Sequence, residues 1–78
     1  DMGMFLQNVM LAARSLGLAT CPQASLAEFP DIVRQTLDIP EQLAVVCGMS
    51  VGYADPDHPV NQYQLSREAV EEFTRWYD

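Results

Sequence analysis

Along the stretch GMFLQNVMLAARSL, apolar residues fall at helical spacing: Phe5, Val9, Ala12, Ala13 and Leu16 share one face. The spacing predicts an α-helix over 3–16. Leu6 and Met10 widen the apolar arc until only Gln7, Asn8, Arg14 and Ser15 are clearly polar. A helix apolar over so much of its circumference is normally buried centrally or in an interface. Gly17 is placed to cap its C-terminus. The next segment, ATCPQAS, reads as an ordered connection, because Pro22 removes a backbone donor and biases Cys21 toward an extended conformation. A second, short amphipathic helix opens at Pro30 and Asp31, packs through Ile32, Val33, Thr36 and Leu37, and ends at Ile39-Pro40.

Periodicity changes at Leu43. The run LAVVCGMSVGY, to Tyr53, combines β-branched residues with glycines and almost no charge, so it is expected to be a central strand buried on both faces. Gly48 and Gly52 weaken an isolated strand, and their use is then the close approach of a backbone, a side chain or a ligand. The segment ADPDHPVNQYQ reads as an extended loop. Ser66 is placed to cap a last helix, with Glu68 and Glu71 in its first turn and Val70, Phe73, Trp76 and Tyr77 for packing. Helix, helix, strand, arm and helix with one strong strand leave that strand's hydrogen bonds without neighbours, so self-association is expected of these residues alone.

Composition bounds the function. At 78 residues the chain holds one domain or part of one, and 49% hydrophobic with 19% charged residues is a globular balance. Apolar content this high in so short a chain points to a partner surface. The start at Asp1, with no basic segment before an apolar one, leads to the expectation that chain precedes this stretch and that it is not a signal peptide. Four arginines and no lysine against eleven acidic residues give a net charge of −7. Nucleic acid and anionic membranes are poor partners for such a surface, and the Met2–Ala13 run is too short to cross a bilayer.

Residue by residue, the chemical signals are weak. Cys21 and Cys47 lack any Cys-x-x-Cys or neighbouring His, so two thiols in a reducing cytoplasm are expected rather than zinc or a disulfide. His58 lies in Asp-Pro-Asp-His-Pro, the setting of an exposed turn, and Asp55 and Asp57 read as solvated rather than as a cation site. No glycine-rich nucleotide loop is present.

Three linked segments in order carry a resemblance that covers nearly the whole chain: the helix and Cys-Pro-Gln loop of GMFLQNVMLAARSLGLATCPQASLAEFPDIVRQTLDIP, the strand end VVCGMSVGYADPDHPVNQY, and the closing SREAVEEFTRWYD. Together they resemble the C-terminal third of nitroreductase-family flavoproteins. The resemblance implies an α+β fold, a mixed sheet flanked by helices, of which residues 1–78 are the C-terminal helix-helix-strand-arm-helix portion of one domain. It implies a homodimer with FMN in pockets at the subunit interface and α-helical packing of residues 4–16 against the partner. The implied activity is transfer of hydride from NADH or NADPH to FMN, then of electrons to a small-molecule acceptor such as a nitroaromatic or quinone.

By position, Pro22, Gln23, Ala24 and Ser25 match the family loop that passes along the isoalloxazine ring, with the Ala24 and Ser25 amides reaching the nitrogen that accepts hydride; a stiffened backbone donor needs no reorganisation to act there. Ser66 and Arg67 fall where the family places a basic residue on the FMN phosphate, which a guanidinium binds through paired hydrogen bonds. The alternative for Arg67 is a surface pair with Glu68 or Glu71. The chain departs from the family in carrying Gln62, Gln64 and Leu65 where many relatives have further basic residues. Three functions stay open from sequence: a nitroreductase-like enzyme, a relative acting on another acceptor (a flavin or enone reductase, or a dehalogenase), and a self-associating module without a cofactor.

Overall fold

The structure, a computed structural model, describes all 78 residues. Helix α1 spans Met2–Ser15, as the helical spacing predicts, but the face it turns inward is not the expected one of Phe5, Val9, Ala12, Ala13 and Leu16. Leu6, Val9, Met10 and Ala13 form its inward stripe, and α1 packs on the strand that follows. Phe5 and Leu16, at 62% and 75% exposed, lie outside that stripe. The helix is therefore apolar on more surface than this chain covers.

The exit from α1 is set by Gly17, at φ +78°. Its N–H donates to the Arg14 carbonyl at 3.0 Å, and the Leu18 N–H donates to the Ala13 carbonyl at 2.9 Å, so a left-handed residue satisfies carbonyls that the helix end would otherwise orphan. The chain turns at once into strand β1, Ala19–Gln23. The expected connection from residue 19 is thus a strand, and it supplies the neighbour that the later strand lacked on paper. β1 pairs antiparallel with β2, Gly48–Gly52, in the register Ala19↔Gly52, Cys21↔Ser50 and Gln23↔Gly48. Pro22 has no ladder donor, and it sits in one of two edge strands, where proline is tolerated.

Between the strands run a 3-10 turn, Ala24–Glu28, and helix α2, Pro30–Leu37. α2 ends on Asp38 in the left-handed region (φ 55°, ψ 47°), and the Ile39 N–H reaches back to the Arg34 carbonyl at 3.0 Å. Arg34 then ties down the chain beyond the helix. Its Nε and Nη2 donate to the Leu43 carbonyl at 3.3 and 3.1 Å, and its Nη1 meets Asp31 Oδ1 at 3.2 Å. The predicted strand from Leu43 is shorter than expected, because only 48–52 finds a partner in this chain. It is also exposed at Ser50, Val51 and Gly52 rather than buried on both faces. Of the two strand glycines, Gly48 meets the expectation of close approach, by the Leu26 side chain; Gly52 faces open space.

Residues 55–62 form a knot of short-range hydrogen bonds instead of an extended loop. Asp55 Oδ1 accepts from the Asp57 N–H at 2.9 Å, and Asn61 Nδ2 donates to the Asp55 carbonyl at 2.6 Å. His58 caps the 3-10 turn Pro59–Gln62, its Nδ1 accepting from the Val60 N–H at 3.2 Å. The last helix, α3, is only Val70–Phe73, with Ala69 at its N-cap position. Ser66 does not cap it and Glu68 lies outside it. A single turn gains stability mainly from packing, and Phe73, Trp76 and Tyr77 are 70%, 82% and 83% exposed.

Only Ala13 is buried, at 8% exposed. The chain exposes 7318 Å², where a compact monomer of this mass would expose about 4,700 Å². Its radius of gyration is 17.0 Å, against about 11.5 Å for a compact domain of this length. Residues 1–78 produced alone are therefore expected to bind a hydrophobic dye such as ANS and to sediment as oligomers; a dye-silent monomer would contradict this account of the exposed apolar surface. In the whole protein, Asp38→Gly is expected to stabilise by about 0.5–1 kcal/mol, since glycine removes the left-handed Cβ penalty and an unfavourable charge at a helix C-terminus. Gly17→Ala should cost about 1 kcal/mol, both being read from denaturant midpoints.

Candidate functional site

The residues singled out in the sequence fall in two places. Pro22 and Gln23 finish β1, with Gln23 still extended at φ −131°, ψ 102°; Ala24 and Ser25 open the 3-10 turn. Amides at the start of such a turn have no partner within it, so this bend presents N–H groups on an exposed surface. Two features make the bend rigid. Pro22 fixes its own φ, and the pairing of Gln23 with Gly48 anchors the strand end to β2.

The second place is the arm after the knot. Arg67 Nη1 donates only to the main-chain carbonyls of Leu65 and Ser66, each at 3.3 Å. The one ion pair in the chain is Arg34 with Asp31, so the alternative pairing of Arg67 with Glu68 or Glu71 does not form. Its guanidinium is an uncompensated cation, and it shares an open cleft with Tyr63, Gln64 and Leu65. A cation of this kind and a set of turn amides suit a ligand carrying both an anionic group and ring acceptors. The residues present fit the two ends of a flavin mononucleotide in their chemistry. The chain does not bring the two ends together: no hydrogen bond links Pro22–Ser25 to Ser66–Arg67, and the cleft of Arg67 contains none of the turn residues.

A further cleft of about 300 Å³ lies at the open end of the sheet, between Cys21 on β1, Ser50 on β2 and Asn61 of the knot. Sequence reading missed the grouping of Ser50 and Asn61 with Cys21, because the strand register that makes them neighbours depends on a strand it did not predict. Cys21 and Cys47 are both free. His58 is used as a turn cap, in keeping with its reading as a loop residue. No set of three potential ligands is arranged for a metal ion, and no helix is long and apolar enough to cross a membrane.

The α+β arrangement of helices around a small antiparallel sheet defines a class of solved proteins. It superposes on the FMN-dependent nitroreductase NfnB from Mycobacterium smegmatis, in complex with NADPH, with a TM-score of 0.94 and 40% identity, over 100% of this chain and 35% of that one. The model of the nitroreductase family matches residues 1–53, and the chain belongs to that family. Among curated relatives, the 4-nitrobenzoate reductase of Pseudomonas putida is 46% identical over 97% of this chain and 34% of its own length. The chloronitrobenzene nitroreductase of Comamonas testosteroni is 49% identical over 92% of this chain and 32% of its own length. The chain spans about a third of the length of the curated relatives it matches.

Proposed function

We propose that residues 1–78 are the C-terminal portion of a single nitroreductase-like domain, and that the whole protein is an FMN-dependent oxidoreductase using NADH or NADPH. The observation that carries this reading is the match of nearly the entire chain, at 46%, to a nitrobenzoate reductase, together with a superposition on an FMN-dependent nitroreductase structure. FMN when bound supplies the two-electron chemistry, taking hydride from the nicotinamide and passing electrons to a nitroaromatic, a quinone or a similar small acceptor.

The chain's own residues take defined roles in this reading. Pro22 and Gln23 hold the bend, and the amides of Ala24 and Ser25 donate to the flavin ring where it accepts hydride. Donors fixed in advance favour the reduced ring without reorganising. Arg67, flanked by Ser66, binds the phosphate. The exposed side of α1 packs in a homodimer whose interface completes the flavin pocket, and the arm beyond residue 62 packs on neighbouring elements. The net charge of −7 disfavours nucleic acid and anionic membranes as partners, and a cytoplasmic location fits two free thiols.

The whole protein should purify with the visible absorbance of bound flavin, and a colourless protein that gains no colour on adding FMN would overturn the reading. Arg67→Gln is expected to raise the FMN dissociation constant about tenfold to a hundredfold, because charge-assisted hydrogen bonds are worth roughly 1.5–3 kcal/mol. The flavin-free melting temperature should be unchanged, since Arg67 contacts only its own neighbours' carbonyls. Unchanged affinity would remove Arg67 from the phosphate site.

A further inference from the structure

The turn that begins with Ala24 and Ser25 continues with Leu26, whose side chain lies directly over the backbone of Gly48 on β2. A Cβ built on Gly48 overlaps Leu26 Cδ1 and stands 3.2 Å from Leu26 Cγ, closer than ordinary van der Waals contact. Gly48 has no left-handed φ, so what glycine provides there is space, and a side chain at residue 48 would have to displace the end of Leu26. The register sets Gly48 opposite Gln23, the residue that leads into the turn. One glycine therefore meets the turn twice, through the strand pairing before Ala24 and through the Leu26 side chain after Ser25.

We propose that Gly48 and Leu26 are positioning residues for the flavin: the leucine seated on the bare backbone of Gly48 fixes the orientation of the turn amides between the two anchors. This rests on the reading of Ala24 and Ser25 as flavin donors. A short 3-10 turn has poor hydrogen-bond geometry of its own, and Ala24 and Ser25 are exposed, so their direction is set by what pins the turn at each end. Pro22 and the Gln23–Gly48 pairing pin the entry. Leu26 pins the turn just past Ser25, and its present seat exists only while residue 48 lacks a side chain. Leu26 lines an apolar groove with Leu6 of α1, Val33 of α2 and Val46 but remains 43% exposed, so its seat on Gly48 is the close contact that fixes it.

The test is made in the whole flavin-loaded protein with Gly48→Ala, Leu26→Ala and the double variant, each examined by crystallography and by flavin potentiometry. In Gly48→Ala the added methyl should displace the Ala24–Glu28 turn from its wild-type position. The flavin midpoint potential should move negative by about 30 mV or more, a tenfold change in a two-electron equilibrium. Leu26→Ala, which adds no bulk, should loosen the turn and move the potential in the same direction. The double variant should recover much of the wild-type potential, because the added methyl then fills the notch the leucine vacates. A leucine that merely rotates into the apolar groove, with the turn and potential unchanged, would overturn the proposal; so would a displaced turn with an unaltered potential. If the wild-type protein binds no flavin, the reading under Proposed function has failed, and the turn displacement in the crystal still decides whether the lock exists.

Discussion

The antiparallel pairing of β1 with β2 is the constraint on which the rest of the chain depends. It closes the excursion through the 3-10 turn and α2, bringing residue 19 to residue 52 and residue 23 to residue 48. α1 has a surface to pack on only because β1 runs directly out of its glycine cap. The bend at Pro22–Ser25 has a defined direction only because Gln23 is held to β2. The Arg34 bonds to the Leu43 carbonyl play a supporting part, returning the chain toward β2 after α2. Removing the ladder would leave two helices, each amphipathic, with nothing fixed between them.

Against that local order stands a shortage of burial. The exposed area exceeds that of a compact monomer by about 2,600 Å², roughly three times the area one partner contributes to a standard protein interface. One docking patch does not absorb such an excess. The surplus is spread over Phe5 of α1, Leu16 just beyond it, Val51 of β2, and Phe73, Trp76 and Tyr77 near the C-terminus, so it asks for neighbours on several sides. That distribution agrees with a chain spanning about a third of its relatives' length, and it explains why α3 is a single turn: helical bonds alone do not hold a short helix in water.

What the sequence made legible follows from how local each signal is. Both long helices, the glycine cap at residue 17 and the close approach at Gly48 were readable because helical spacing and glycine placement act within a few residues. The family was readable because three motifs occur in order. β1 was hidden: Pro22 reads as a breaker, and five residues with no alternation give no period-2 signal, so its strand character comes from pairing with residues 48–52. The reverse happened at 43–47, where strand-like composition finds no partner in this chain. Ser66 had the chemistry of a cap but no helix to cap, since the packing face that would extend α3 meets nothing. The cleft of Cys21, Ser50 and Asn61 was beyond reach for the same reason as β1.

The two candidate ends of the flavin site differ in what fixes them. The amides of Ala24 and Ser25 follow directly on the paired strand, so their entry is fixed within these 78 residues. Arg67 belongs to the arm, and its only bonds run to the carbonyls of Leu65 and Ser66, which travel with it. No interaction within the chain therefore sets the distance between the guanidinium and the turn. If Arg67 binds the phosphate as proposed, that distance must be set by contacts outside these 78 residues rather than by local sequence. A departure such as Gln64 for a basic residue then matters more than its exposure suggests, because the arm offers Arg67 as its one cation between residue 62 and α3.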